Sequence, residues 1–135
     1  VMALCICTKL VVRHLRANGD RGQIIHISSM SAHRVPPNSG MYAASKHAVR
    51  ALTEALRQEL RELGSAIKVT SLSPGFVETE FAEHYHRSSE KAKEIYSRYP
   101  VMQAQDIAEQ VRFVLQLPER VEVHDMLTRP THQPN

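Results

Sequence analysis

The clearest indication of the fold of this chain is the stretch 23-QIIHISSMSAHRVPPNSGMYAASKHAVRALTEALRQELRELGSAIKVTSLSPG-75. It opens with a β-branched run at residues 23–28, which predicts a buried strand. After a loop rich in turn residues, residues 41–63 have the apolar spacing of a long helix. A second β-branched run at 67–72 predicts another strand. A strand, a helix and a strand in succession are typical of a parallel sheet with helices packed on it.

The alternation of helices and strands continues on both sides of this stretch. Beyond it, the sequence predicts helices at residues 4–15, 89–99 and 106–117, a polar segment at 76–88, a strand at 121–127 and a polar tail at 128–135. The apolar face of the long helix is expected to consist of Ala44, Ala48, Leu52, Ala55, Leu56 and Leu60. We therefore predict a single α/β unit of about three parallel strands, with helices on both faces of the sheet and no internal repeat.

Composition and charge exclude several classes of function. The chain has 135 residues and a net charge of +3, and its basic residues are interleaved with acidic ones, so no nucleic-acid ligand is predicted. No apolar run is long enough to span a membrane. Cys5 and Cys7 point to different sides of a helix and are expected to be reduced, which suits a cytoplasmic protein. His84 and His86 have no acidic or cysteine neighbours at ligand spacing, so no metal site is predicted.

Tyr42 and Lys46 form the most informative pair of polar residues. Four positions apart on a helix, they share one face. A free phenol titrates near 10 and is a poor base at neutral pH, whereas a nearby cation favours the phenolate. Taken alone, the spacing is better explained by an interfacial tyrosine beside a solvated lysine. However, Ser29 and Pro74-Gly75 end the two predicted strands, and ligands bind at the carboxyl ends of parallel strands.

Three motifs together carry a resemblance to a known family. Ile-His-Ile-Ser28-Ser29, Tyr42-Ala-Ala-Ser-Lys46 and Pro74-Gly-Phe-Val-Glu-Thr79 resemble, in this order and spacing, the second half of the short-chain dehydrogenases/reductases. The resemblance covers nearly the whole chain. Residues 52–61 and 129–131 resemble a branch that includes NADP-dependent keto-steroid reductases and insect farnesol dehydrogenases. The implied fold is the C-terminal portion of a doubly wound, Rossmann-like parallel sheet, so that residues 1–135 form one partial domain.

The resemblance also implies an activity and a set of site residues. The expected reaction transfers a hydride between a nicotinamide cofactor, NADP or else NAD, and a lipophilic alcohol or carbonyl such as a keto-steroid or prenyl alcohol. Tyr42 would exchange a proton with the substrate, Lys46 would lower the Tyr42 pKa and bind the nicotinamide ribose, and Ser29 would polarise the substrate oxygen. The residues expected to hold the nicotinamide carboxamide are Pro74, Gly75, Val77 and Thr79.

Other residues are open to two interpretations. By resemblance, Tyr85, Tyr96 and Tyr99 lie in a segment that covers the substrate, although packing explains them equally well. His33 and Arg34 would border the substrate or a 2′-phosphate, or else face solvent in a loop.

Two parts of the family pattern have no counterpart in these 135 residues. The glycine-rich turn that seats a pyrophosphate is absent, and the family's helix asparagine would fall immediately before Val1. We therefore expect either a fragment of an enzyme or a truncated, inactive product that acts only through subunit association. A sugar-nucleotide epimerase also has Tyr-x3-Lys, but it usually has a larger C-terminal domain. The two long helices predict a homo-oligomer in the full-length form.

Overall fold

The computed structural model describes residues 1–134, and Asn135, the last residue of the predicted tail, lies outside the described residues. Within the described residues, the chain forms five α-helices, five strands and one short 3-10 helix. In chain order they are α1 (Met2–Ala17), β1 (Arg21–Ile27), the 3-10 helix (Met30–Ala32), α2 (Gly40–Glu62), β2 (Ala66–Pro74), β3 (Val77–Glu78), α3 (Phe81–His86), α4 (Ser89–Ser97), β4 (Met102–Gln103), α5 (Ala104–Gln116) and β5 (Asp125–Thr128).

The main sheet has three parallel strands in the order β1-β2-β5. β1 pairs with β2 along its whole length, from Arg21 opposite Ala66 to Ile27 opposite Leu72. β5 pairs with the other edge of β2, where Pro74 lies opposite Thr128. A separate two-stranded parallel sheet joins β3 and β4. The prediction of an α/β fold with about three parallel strands is confirmed.

Successive side chains of a strand point to opposite sides, so the sheet has two faces of side chains, and helices pack on both. On one face, Ile24 of β1 and Ile67 and Val69 of β2 form the core with Leu60 of α2, and part of α1 packs against them. On the other face, the Lys68 ammonium donates to the carbonyl of Leu117 at 3.4 Å, immediately after α5. The sheet therefore lies between α1 and α2 on one side and the end of α5 on the other.

The buried face of α2 differs from the predicted one. Of the six apolar residues expected to face the core, only Leu60 is fully buried, and Ala44 and Ala55 are exposed. The buried residues of α2 are Ala43, Val49, Thr53, Arg57 and Leu60. The predicted face is wrong because two polar residues in this stripe are hydrogen-bonded inside the protein, which removes most of the cost of burying them.

The last strand begins later than predicted, at Asp125 rather than at residue 121. Before that point, side chains form hydrogen bonds with backbone groups of β2. The Glu122 carboxylate accepts from the Val69 amide at 2.7 Å, and the Arg57 guanidinium donates to the Val69 carbonyl at 3.3 Å. Residues 121–124 therefore lie beside β2 without forming a strand.

The segments after β2 and after β5 are more ordered than predicted. Residues 76–88, expected as a polar segment, contain β3 and α3. In the tail, Gln133 is only 7% exposed. Residues 128–134, expected as a polar tail, are thus largely exposed but fold back onto the end of β2 at Gln133.

Candidate active site

Ser29 lies just beyond the carboxyl end of β1 and is 8% exposed. Its hydroxyl oxygen accepts a hydrogen bond from the Ser31 amide at 3.1 Å, which caps the 3-10 helix and fixes the hydroxyl. The Ser29 hydroxyl also lies close enough to the Tyr42 phenol to lower the pKa of that phenol by hydrogen bonding. The two residues that the sequence separates by thirteen positions are thus brought close together.

Tyr42 lies in the first turn of α2 and is partly buried. Burial raises the pKa of the Tyr42 phenol above its ordinary value because the phenolate loses hydration. The hydrogen bond with Ser29 acts in the opposite direction, and the neighbouring Tyr85 raises the pKa further. The direction is opposite to the predicted lowering, because in this structure desolvation outweighs the stabilisation of the phenolate.

Lys46 lies one turn further along α2, on the same side as Tyr42. Its ammonium lies 5.8 Å from the centroid of the Tyr42 ring and donates to the carbonyl of Ile27 at 3.2 Å. Burial lowers the pKa of Lys46. An ammonium has three donors, so those not used by Ile27 can bind a ligand. The contact with Ile27 also ties α2 to the last residue of β1.

The predicted carboxamide-binding segment follows β2 directly. The Gly75 amide donates to the Thr128 carbonyl at 2.7 Å, which extends the pairing with β5 by one residue. The Thr79 hydroxyl accepts from the Phe81 amide at 3.2 Å at the start of α3. Since that bond uses only a lone pair of the oxygen, the hydroxyl proton of Thr79 is available to a ligand.

An aromatic cluster of α3 covers the Tyr42 ring. The centroids of Phe81 and Tyr85 lie 5.6 and 5.5 Å from that of Tyr42, and Phe81 and Tyr85 stack on each other. The Tyr96 hydroxyl donates to the Thr79 carbonyl at 3.2 Å. Sequence patterns miss α3 because it has six residues, too few to establish a helical period. The result is an apolar wall beside the phenol.

His33 and Arg34 follow the 3-10 helix and are held by protein contacts. The His33 imidazole lies 3.1 Å from the Asp125 carboxylate and 3.3 Å from the Ser73 hydroxyl. Arg34 contacts the sulfur of Met30 at 4.0 Å. His33 thus joins the loop after β1 to β5, so a packing role explains it without any ligand.

Within residues 1–134, no group of three or more His, Cys, Asp or Glu side chains is arranged to hold a metal ion. Over the same range, none of the helices is both long and apolar enough to cross a membrane. Neither cysteine of this part of the chain is in a disulfide.

Comparison with known proteins identifies the family of this parallel α/β unit. The family model for short chain dehydrogenases matches residues 1–90, which is two thirds of the chain. The chain therefore belongs to the short chain dehydrogenase family. It is 47% identical over 137 aligned positions to dehydrogenase/reductase SDR family member 11 of Bos taurus, and this alignment covers 98% of the chain and 54% of the relative. It is 40% identical to farnesol dehydrogenase of Aedes aegypti, over 96% of the chain and 51% of that protein.

Solved structures agree with this assignment. The closed form of a serine dehydrogenase complexed with NADP+ superposes with a TM-score of 0.89 at 28% identity, over 95% of this chain and 51% of the other. A 4-hydroxyisoleucine dehydrogenase complexed with NADH gives a TM-score of 0.75 at 25% identity, over 95% and 54%. The chain thus spans about half the length of the relatives it matches. The predicted resemblance to the second half of this family is confirmed.

Proposed function

We propose that this chain is the catalytic half of an NAD(P)-dependent oxidoreductase that interconverts alcohols and carbonyl compounds. The observation that carries the proposal is the proximity of the Tyr42 phenol to the Ser29 hydroxyl and to the Lys46 ammonium, at the carboxyl ends of β1 and β2. The proposed catalytic residues are Ser29, Tyr42 and Lys46. Both hydroxyls can reach one substrate oxygen because they lie close together.

In the reducing direction, the Tyr42 phenol donates its proton to the substrate oxygen as negative charge develops there. Burial raises the pKa of Tyr42, which makes the phenol a weaker acid, so a nearby cation is needed to favour release of the proton. The Ser29 hydroxyl, oriented by its contact with the Ser31 amide, donates to the same oxygen and polarises the carbonyl. The Lys46 ammonium then stabilises the phenolate that remains.

The donors of this site fit a nicotinamide cofactor, which supplies or accepts the hydride when it is bound. Lys46 has donors left for ribose hydroxyls, and the Thr79 hydroxyl has its proton left for a carboxamide. At Gly75, neighbouring side chains approach too closely for a Cβ atom. The proposed cofactor-binding residues are Tyr42, Lys46, Pro74, Gly75, Val77 and Thr79. We propose NADP, with NAD as the alternative to be compared in the same assay.

A lipophilic substrate suits the aromatic wall that α3 forms. Phe81 and Tyr85 are 52% and 42% exposed, so their rings offer apolar surface beside the Tyr42 phenol. The relative from Aedes aegypti is named for farnesol, a prenyl alcohol, and this name supports the proposal of a lipophilic substrate. Prenyl alcohols and keto-steroids are therefore the substrates to test first.

The decisive experiment uses a hybrid protein, in which this chain follows the N-terminal half of the bovine relative. Tyr42→Phe removes the acid–base group while keeping the ring, so we expect the rate to fall by about 10²–10⁴-fold. Tyr85→Phe is the matched control, because it removes a neighbouring phenol and keeps the contact between the rings. Activity of Tyr42→Phe above about one tenth of the parent would refute the proposal.

A second candidate is a protein that acts only by associating with another subunit. It is favoured by the apolar side chains of Ile6, Leu10 and Val11, which α1 exposes. The two candidates differ in nucleotide binding. We expect no measurable binding of NADPH to the 135-residue chain alone and clear binding to the hybrid protein, as judged by calorimetry. A hybrid protein that folds but binds no dinucleotide would favour the second candidate.

A further inference from the structure

The segment after β5 returns to the end of β2 and buries the Gln133 side chain there. A turn with a hydrogen bond from the Gln133 amide to the Pro130 carbonyl, at 3.0 Å, sets the direction of the chain. The side-chain oxygen of Gln133 accepts from the Phe76 amide at 3.0 Å. Its side-chain nitrogen lies 3.4 Å from the sulfur of Met30. One buried amide thus contacts the loop after β1 and the loop after β2.

The Gln133 side chain and its neighbours leave no room for a side chain at Gly75. A Cβ atom at Gly75 would meet the side-chain oxygen of Gln133, the Cβ of Arg129 at 2.9 Å and the sulfur of Met30 at 3.1 Å. The Gly75 amide is also bound, to the Thr128 carbonyl. Two consecutive amides are therefore held from this side, that of Gly75 by the last residue of β5 and that of Phe76 by the segment that follows β5.

These contacts connect Gln133 to both parts of the candidate site. Met30 follows Ser29 directly, and Phe76 precedes Val77 and lies near Thr79 in the chain. The polar contacts that the structure gives Gln133 involve neither Tyr42 nor Lys46. Its influence on the site is consequently exerted through the backbone and not through the reacting groups.

We propose that Gln133 is a positioning residue, which fixes the backbone at Gly75 and Phe76 so that the following residues can bind the nicotinamide carboxamide. This inference rests on the proposed function, because only a dinucleotide site makes the position of that backbone matter. A buried amide without an acceptor is costly, so without Gln133 the Phe76 amide turns towards water and the loop shifts. The segment after β5 is thus part of the cofactor site although it contributes no catalytic group.

The test compares two substitutions of Gln133 in the hybrid protein. Gln133→Met keeps the length of the side chain and removes the acceptor, whereas Gln133→Glu keeps an acceptor for the Phe76 amide. His132→Ala, at an exposed neighbouring position, is the control. The readouts are hydrogen exchange of the Phe76 amide without cofactor, the dissociation constant of NADPH, and kcat at saturating NADPH.

For Gln133→Met we expect faster exchange at Phe76 and weaker NADPH binding, each by about three- to tenfold, which is the range of one neutral hydrogen bond. We expect kcat to change by less than about twofold, because the acid–base groups are untouched. Gln133→Glu should keep the parent's protection of the Phe76 amide from exchange and its affinity for NADPH. His132→Ala should change neither quantity.

Three outcomes would overturn the inference. The first is unchanged Phe76 exchange in Gln133→Met, and the second is faster exchange with unchanged NADPH affinity. The third is a Gln133→Glu variant in which Phe76 exchange is faster and NADPH binding weaker than in the parent. This outcome can be measured even if Gln133→Met does not fold. The proposed function fails separately, when Tyr42→Phe keeps its activity, and the dependence of Phe76 exchange on Gln133 is independent of that result.

Discussion

His26 of β1 and Thr53 of α2 are joined by a buried hydrogen bond of 2.8 Å between Nδ1 and Oγ1. The Thr53 hydroxyl donates its only proton to the Val49 carbonyl, so the threonine oxygen must accept from Nδ1. Nε2 is then the acceptor of the neutral ring, and the Thr8 hydroxyl of α1 donates to it at 3.0 Å. One neutral imidazole therefore connects the strand to both helices on its face.

We predict that this arrangement makes stability sensitive to mild acid. Burial lowers the pKa of His26, so the unfolded chain binds the proton more readily than the folded one. The stabilisation is complete above about pH 6.5, the ordinary imidazole pKa, and is lost as the pH falls towards the lower pKa of the folded state. In urea unfolding of the hybrid protein, His26→Gln should be less stable at pH 7.5, and the difference from the parent should narrow by pH 5.5. A difference that is independent of pH would contradict this prediction.

Gly75→Ala should destabilise the protein by about 1–3 kcal/mol, since the added methyl group meets Gln133, Arg129 and Met30. Gly40→Ala is the matched control, because a Cβ at Gly40 meets no atom within 4 Å. Thermal unfolding of the two variants measures the difference. Equal midpoints would show that the close contact at Gly75 relaxes at no cost.

Arg57→Met should cost about 1–3 kcal/mol, the range for leaving buried hydrogen-bonding groups without a partner, because Glu54 is half exposed and keeps its hydration. The guanidinium of Arg57 donates to the carbonyls of Val69 and His124 and pairs with Glu54. The control is Arg112→Met, which removes an exposed ion pair with Glu109 and should cost less than about 1 kcal/mol. If urea unfolding gave the two variants the same loss in free energy of unfolding, the buried contacts of Arg57 would not stabilise the fold.

Lys46→Met should weaken NADPH binding in the hybrid protein and displace the pH–rate profile to higher pH. The displacement is upward because loss of a cation near the Tyr42 ring disfavours the phenolate and so raises the pKa of the phenol. Steady-state rates from pH 6 to pH 10 measure it. An unshifted profile with unchanged affinity would mean that Lys46 only ties α2 to Ile27.

We also predict that the 135-residue chain alone aggregates or needs a partner, whereas the full-length form is a homo-oligomer. Ile6, Leu10 and Val11 of α1 are each 43–58% exposed, and apolar surface of this kind favours association. Val49 of α2, by contrast, is buried within the chain and is not available for such contacts. Light scattering decides the matter, because a stable monomer of 15.3 kDa would contradict the prediction.

The sequence predicts the strand–helix–strand unit and the order of elements because hydrophobic period and turn residues are local signals. It does not predict which side of α2 is buried, since Thr53 and Arg57 depend on partners that lie in β1, β2 and residues 121–124. Gln133 is missed for the same reason, because its partner Phe76 is 57 positions away. The motif residues of the site are readable from sequence, whereas the groups that support them are not.

The free edge of β1 has a consequence for how this chain can be used. Within residues 1–134, Arg21–Ile27 pairs on one side only, so seven residues of parallel strand present their other side to any incoming chain. A separately expressed polypeptide that ended in a matching parallel strand and its helix would find a ready template there. The protein is thus suited to two-chain complementation, in which the appearance of the proposed oxidoreductase turnover reports that two independent polypeptides have met.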